Sequence, residues 1–306
     1  MSGAALLAGY AADFAIGDPR RWHPVAGFGG VAARVERSVY APSRARGALF
    51  AAVLVALPAA AAEAAARVAR RGGPILMALT WAALGGRSLT REASSIGALL
   101  DPGDLMGARA ALPALVGRDP EQLDSAGVAR AVVESLAENT SDAVVGALLW
   151  GALAGPAGVV AYRAVNTLDA MVGYRDERYQ EFGWAAARLD DAMSWPAARA
   201  GAALAAACAP IVGGSSIASW RALRRDGAAH PSPNAGRMEA AFAGALGVTL
   251  GGPLSYGGRV ERRAPLGDGR APATADIARA GRLSLAVGAA AALICAAARA
   301  GLGRTR

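Results

Sequence analysis

Long uncharged stretches alternate along the chain with short segments rich in Arg, Asp, Glu, Pro and Gly. A helix needs about 20 residues to cross the ~30 Å hydrocarbon layer of a bilayer. Residues 47–66, 72–86, 143–162, 200–220, 240–258 and 283–298 approach that length and are the candidate spans. The stretch 240–258 is rich in Gly and contains Pro253, so it reads either as a crossing or as a re-entrant segment. No alternation of strand period is sustained anywhere. The predicted fold is all-α, a multi-pass integral membrane helical bundle forming one membrane domain over 1–306, with polar segments between helices and re-entrant helices allowed among them. About four to six crossings are expected. Much of the apolar content is Ala, so a soluble Ala-rich bundle is the competing reading. Pro and Gly clusters at 17–30, 101–107 and 226–236 mark loops. Asp119 before Pro120 and Glu121 reads as the N-cap of a helix through Ala126, Ala129, Val132, Val133 and Leu136.

Composition sharpens this picture. Hydrophobic residues make up 54% of the chain and charged residues 18%, against about a quarter charged in ordinary soluble domains. The net charge is +8, and every basic residue except the two histidines is Arg. Without Lys there is no Walker-type phosphate loop, Schiff base or pyridoxal anchor. Phosphate must be held by Arg, backbone amides or a metal. Arg beside membrane spans accounts for the positive charge, and no aromatic-plus-basic motif points to nucleic acid. Arg flanks residues 47–66 on both sides, so charge does not orient the protein in the bilayer. Cys208 and Cys295 stand alone in apolar runs, with neither zinc spacing nor a disulfide framework. The first residues lack the basic stretch of a cleaved signal peptide.

Five polar segments are candidates for chemistry. In the first, Glu134, Glu138 and Asp142 are four apart, which places them along one side of a helix. Asp142 borders the uncharged run 143–162, where an ionised acid needs a partner. Mg²⁺, which favours carboxylates and phosphate oxygens, is the natural one. A solvated acidic face is the plainer alternative. In the second, Arg163, Asn166 and Asp169 share a helix face. If 143–162 crosses the membrane once, these two groups lie on opposite sides. If Gly155-Pro156 breaks the run into a re-entrant hairpin they meet, and that is the preferred reading. The third is Arg188, Asp190, Asp191 and Arg199, which suits either a metal and a phosphate or surface ion pairs. The fourth is the loop from Gly17 to Val25, with Asp18, two Arg and His23. The fifth, from His230 through Asn234 to Arg237 and Glu239, offers either an anion-binding helix start or an ordinary cap.

Taken in order, GDPRRWHPV, ESLAENTSDAVVG, YRAVNTLDAMVGY, FGWAAARLDD, W-P-A-A-R, HPSPNAG and GVTLGGPLSYGG resemble the CobD/CbiB family of cobalamin biosynthesis over roughly residues 9–270. The resemblance implies a multi-pass inner-membrane adenosylcobinamide-phosphate synthase. It implies ATP-driven condensation of adenosylcobyric acid with (R)-1-amino-2-propanol O-2-phosphate, or with threonine phosphate. On that footing, Glu134, Glu138 and Asp142 are expected to hold Mg²⁺, with Asp190 and Asp191 as a second acidic set. Arg163, Arg188 and Arg199 would grip phosphates. His23 or Asp18 would accept the amine proton, and Asn139, Asn166, Asp169, Asn234 and Arg237 would line the substrate. ATP and the soluble substrates place the site toward the cytoplasm. The lipid bilayer is the structural partner, with a second copy or other membrane enzymes of the corrinoid pathway as further partners. A non-enzymatic AmpE-like regulatory relative is the main rival. A CDP-alcohol phosphotransferase is disfavoured by the spacing of residues 169–191, and a transporter by the placing of polar residues in loops and at span ends.

Overall fold

The computed structural model describes residues 3–18, 23–69, 72–174, 176–256 and 259–302. In chain order it runs α1 (Ala4–Ile16), α2 (Pro24–Val39), α3 (Arg44–Val68), α4 (Gly72–Ala83), α5 (Gly86–Leu100), α6 (Leu105–Ala111), α7 (Ser125–Thr140), α8 (Gly146–Val172) and α9 (Tyr179–Phe182). It continues with α10 (Trp184–Cys208), α11 (Ser216–Asp226), α12 (Ala235–Leu246), an antiparallel hairpin of β1 (Leu250–Tyr256) and β2 (Arg259–Leu266), and α13 (Thr274–Leu302). Four helical runs are long and apolar enough to cross a membrane: Arg44–Val68, Ser125–Val172, Trp184–Val212 and Thr274–Leu302. The chain is an all-α membrane bundle. In α3 only 11% of the apolar window is covered by protein. Leu49, Val53 and Leu57 point outward, where lipid is the solvent that suits them.

The spans at 47–66 and 283–298 fall inside α3 and α13. The others need correction. Residues 72–86 supply only the 12 residues of α4, about 18 Å of helix, which is too short to cross. The run 200–220 is cut where Gly213 turns left-handed (φ 71°) and the Ser215 side chain caps α11, so the long apolar helix lies earlier, at Trp184–Val212. The run 240–258 is neither a crossing nor re-entrant. It is the second half of α12 followed by β1. Gly251 and Gly252 take φ of 80° and 88° beside a bulge, which erases the period-two pattern by which a strand is read from sequence. Helix α7 starts later than expected, capped by Asp124, whose Oδ1 accepts from Gly127 N at 2.7 Å.

Residues 143–162 do not form one straight helix either. Gly155 sits at φ 62°, ψ −144°, a region open essentially to Gly alone, and Pro156 follows. The arms 146–154 and 156–172 fold back on each other: Gly146 lies against the Tyr162 ring, and Gly151 against the Val159 side chain. In an unbroken helix residues 146 and 162 would be about 24 Å apart. The uncharged parts of the arms, 143–154 and 156–162, span about 18 and 10 Å. Each is shorter than the hydrocarbon thickness, and the segment is a helical hairpin closed at Gly155. A π-helical turn at Ser141–Val145 joins it to α7.

The chain divides into two compact units interleaved in sequence. Unit 1 comprises Met1–Gly85, Asp142–Pro196 and Ala291–Arg306. Its core packs Phe50, Leu54, Leu168, Val172 and Phe182 together, with the Phe50 and Phe182 rings 5.0 Å apart. Gly47 lets α3 approach the Phe182 carbonyl. Glu36 is buried there and accepts from Arg178 Nη2 at 2.9 Å and Tyr179 OH at 3.0 Å. Unit 2 comprises Gly86–Ser141 and Ala197–Ala290. Helix α7 is its axis, with Val128, Val132, Val133 and Leu136 fully buried and α5 and α12 packed on it. Gly244 admits the α11 backbone at Ala218 and Ser219, and Ser219 Oγ donates to Ala241 O at 2.7 Å. Asp226, at the end of α11, accepts from Arg225 Nε and Nη2 at 2.7 Å each and from Gly267 N at 2.8 Å.

Two outcomes follow for stability in detergent. Gly155→Ala forces a side chain into a glycine-only conformation and lowers stability by about 1–3 kcal/mol; an unchanged thermal midpoint would remove the reversal at this position. The Arg225 hydrogen bonds hold the Asp226 carboxyl below its ordinary value of 3.8. The folded state therefore prefers the ionised form. Its stabilisation is present above that value and lost as pH falls through the lower folded value. Asp226→Asn should flatten this acid limb of a thermal-shift profile, leaving the neutral limb parallel to that of the parent.

Candidate functional site

Unit 1 holds the second and fourth polar segments, Arg188, Asp190 and Asp191 of the third, and Asp142 of the first. Folding back at Gly155 brings the 156–172 arm beside the start of the hairpin, and Tyr162 and Arg163 come within electrostatic reach of Asp142. Asp18 also acts on Arg163. Arg163 Nη1 donates to Asn166 Oδ1 at 3.3 Å, and Asn166 Nδ2 donates to Asp190 Oδ1 at 3.4 Å. Ser194 Oγ lies 3.4 Å from Asp190 Oδ2 and 3.3 Å from Tyr162 OH. Asp169 and Asp191 add negative charge around Asp190. His23 caps α2 through Nδ1, which accepts from Val25 N at 3.2 Å, and its Nε2 lies 3.5 Å from Asp18 Oδ1. Pro19 to Trp22, the middle of that loop, lie outside the described residues, as do Gly257 and Gly258. The chain of contacts from Arg163 through Asn166 to Asp190 sets a guanidinium next to carboxylates that neutral groups orient. It suits a phosphate on one side and a cation on the other.

Two residues expected to join this set sit at its edge or elsewhere. Arg188 is exposed and lines a pocket of ≈ 300 Å³ with Tyr174, Tyr179, Trp184 and Asp191. Arg199 belongs to unit 2, where its Nη1 donates to Asn234 Oδ1 at 3.3 Å and Arg237 is its charged neighbour.

Unit 2 holds a second polar centre, buried around α7. Arg118, 5% exposed at its side chain, pairs with Glu134 at 2.7 Å. Glu134 Oε1 accepts from Gly251 N at 2.7 Å, a contact made by the glycine turn that opens the β hairpin. The Nε and Nη1 groups of Arg118 are buried and have no hydrogen-bond partner. Such unmet donors cost about 1–3 kcal/mol and mark a place where an anion would bind. Arg263 on β2 lies with Nη1 2.9 Å from His230 Nε2, while Ser232 N donates to His230 Nδ1 at 3.0 Å. A neutral imidazole accepts one of these bonds, not both. Burial, reinforced by Arg263, holds the His230 pKa below its ordinary value, so the ring is neutral at pH 7. Glu239 Oε1 lies 3.6 Å from His230 Nε2. Burial, with Glu134 and Glu138 adding like charge, pushes its carboxyl well above the usual carboxylate range. Glu138 is in electrostatic reach of Arg263, Arg118 and Glu134, and stays open to solvent on an otherwise buried turn of α7.

Of the acids expected on one helix face, Glu134 and Glu138 belong to unit 2 and Asp142 to unit 1. Asp142 sits in the π turn at Ser141–Val145. Glu134 and Glu138 stay with Arg118 and Arg263, and Asp142 joins Tyr162 and Arg163. Asn139 turns back on its own helix, donating to Ser135 O at 3.0 Å. Among the described residues no group of three or more His, Cys, Asp or Glu is arranged to hold a metal alone. Sequence reasoning missed Arg118, Arg263 and Glu239 as partners. Glu239 closes the polar segment that starts at His230, but Arg118 and Arg263 stand in no sequence pattern with it.

Comparison with known proteins bears on this arrangement. The model of the family described as CobD/Cbib protein matches residues 6–284. A protein of Mycobacterium tuberculosis named "Cobalamin biosynthesis protein CobD" is 51% identical over 94% of this chain and 93% of its own length. Proteins of the same name from Chromobacterium violaceum and Rhodobacter capsulatus are 45% and 41% identical, over 89% and 87% of this chain and 88% of each relative. No solved structure matches the chain. With a family match over most of its length and relatives of this identity, the chain belongs to the CobD/CbiB family.

Proposed function

We propose that this membrane protein of cobalamin biosynthesis catalyses ATP-dependent amide formation. The corrinoid carboxylate of adenosylcobyric acid is joined to (R)-1-amino-2-propanol O-2-phosphate, or to threonine phosphate, giving adenosylcobinamide phosphate. The observation that carries this reading is the buried centre of unit 2, with the unmet donors of Arg118 beside Arg263, Glu138 and Glu239. An aminoalkyl phosphate is a zwitterion, and a site with guanidinium groups next to carboxylates is complementary to both of its ends. Arg118 and Arg263 receive the phosphate through charge-assisted bonds. Glu138 and Glu239 face the ammonium.

The amine attacks only when neutral, so its proton must leave. Glu239 is the acceptor this reading favours, because burial makes its carboxylate more basic and the ammonium beside it favours the ionised form that takes the proton. The corrinoid carboxylate attacks the terminal phosphoryl group of ATP, and ADP leaves. The amine nitrogen then attacks the acyl phosphate carbon, the C–O bond breaks and inorganic phosphate departs. Arg163, oriented by Asn166, is the group in unit 1 suited to phosphoryl oxygens. Mg²⁺ supplies neutralisation of phosphoryl charge when bound, and one or two carboxylates suffice when phosphates complete its shell. Asp190 and Asp191 fit that need, whereas Glu134 is already engaged by Arg118 and Gly251. In this reading the active site faces the cytoplasm, where ATP is available.

The test is turnover of purified, lipid-reconstituted protein supplied with ATP, Mg²⁺, the corrinoid acid and each amine phosphate, with products identified by mass. Glu239→Gln is expected to lower kcat by about 10²–10⁴-fold while the protein elutes as the parent does. Arg263→Gln should mainly raise KM for the amine phosphate. A Glu239→Gln enzyme with parental kcat would remove the base, and a parent that forms no amide would favour the AmpE-like regulatory reading.

A further inference from the structure

A groove of ≈ 660 Å³ runs between α5 and α13 within unit 2, lined by Arg87, Thr90, Arg91 and Ser94 on one side and Ala278, Gly281, Arg282 and Leu285 on the other. Each set is spaced i, i+3, i+4, i+7, one stripe of a helix. The opposite face of α5, with Leu89, Ala93, Ile96 and Leu100, is buried in unit 2. Gly97 of α5 faces the Ile277 side chain of α13. The lining therefore carries three exposed guanidinium groups and no carboxylate. The hydroxyls do not compete for a ligand, since Thr90 Oγ1 and Ser94 Oγ donate to carbonyls of their own helix. Outside the groove, Arg91 Nη2 reaches the exposed Glu92 at 3.2 Å.

The position of these arginines says what the groove meets. Arg282 is the last charged residue before the uncharged run 283–298 of α13, a helix long and apolar enough to cross a membrane. Arg87 and Arg91 of α5 thus meet Arg282 where α13 turns from polar to apolar. Leu285 continues the α13 stripe on the apolar side. A ligand that fits has an anionic head for the guanidinium groups and an apolar body beyond them.

We propose that this groove binds the headgroup of an anionic phospholipid, with Arg87, Arg91 and Arg282 holding its phosphate. Basic pockets between membrane helices recognise such headgroups, and guanidinium pairs with phosphate in a bidentate fork. The ligand is a component of the bilayer rather than a reactant. The site is separate from the residues assigned to chemistry above and stands or falls independently of them.

The experiment measures lipid selectivity with spin-labelled phosphatidylglycerol and spin-labelled phosphatidylcholine around the full-length protein in phosphatidylcholine vesicles, without substrates. The parent should prefer the anionic label. Arg282→Gln should weaken that preference by about fivefold, and Arg87→Gln combined with Arg91→Gln and Arg282→Gln should bring it toward equality. Arg221→Gln with Arg224→Gln, exposed on α11 of the same unit, should leave it intact. If the triple variant does not elute as folded protein, the single variant decides. Equal selectivity in Arg282→Gln and the parent overturns the proposal. So does loss of the preference in millimolar inorganic phosphate at constant ionic strength, which would make the groove a site for soluble phosphate.

Discussion

The reversal of α8 at Gly155 is the constraint on which the polar centre of unit 1 rests. Without it, Asp142 and Arg163 would be separated by the length of a helix of about 21 residues, some 30 Å. With it, a carboxylate from the start of the hairpin and a guanidinium from its return arm act on each other directly. The reversal needs little special sequence: a glycine able to take its conformation, a proline that cannot continue the preceding helix, and glycines at 146 and 151 where the arms touch. Such a segment keeps its backbone bonded within helices while bringing polar side chains from its two ends together.

The buried centre of unit 2 solves the opposite problem. There the charges sit on elements far apart in sequence: a loop before α7, α7 itself, the turn before α12, and β2. A buried guanidinium paired with one carboxylate is a weak source of stability, because desolvation offsets much of the attraction. Leaving two of its donors without acceptors adds to the cost. A fold that retains this arrangement maintains a preorganised electrostatic receptor, the kind of environment in which a bound anion gains more than it would in water. The neutral His230 and the high-pKa Glu239 belong to the same low-dielectric setting.

How much of this was legible beforehand differs between the two units. The Arg163, Asn166, Asp169 face depends only on helical spacing, and the hairpin on a Gly-Pro pair, so both could be read from local sequence. The π turn at Ser141–Val145, in which Asp142 sits, leaves no composition signal. Arg118 and Arg263 were out of reach for a different reason. Their partners are set by tertiary packing, and Arg263 lies on a strand whose glycine-bulged partner hid the hairpin. Apolar runs located α3 and α13 well, but over-read 72–86, 200–220 and 240–258. An uncharged stretch in an Ala- and Gly-rich chain is as readily a short helix and a turn as a crossing. Asp124 rather than Asp119 capping α7 shows the same limit, since both sites carry plausible capping residues.

The scant protein cover on α3 bears on biogenesis. A helix whose apolar window is nearly all turned to lipid partitions into the bilayer on its own account, before any neighbour has docked. The hairpin of α8, with arms too short to be stable there alone, needs earlier helices to receive it. Translation order meets that requirement, because α1 to α4, which contact α8, leave the ribosome first.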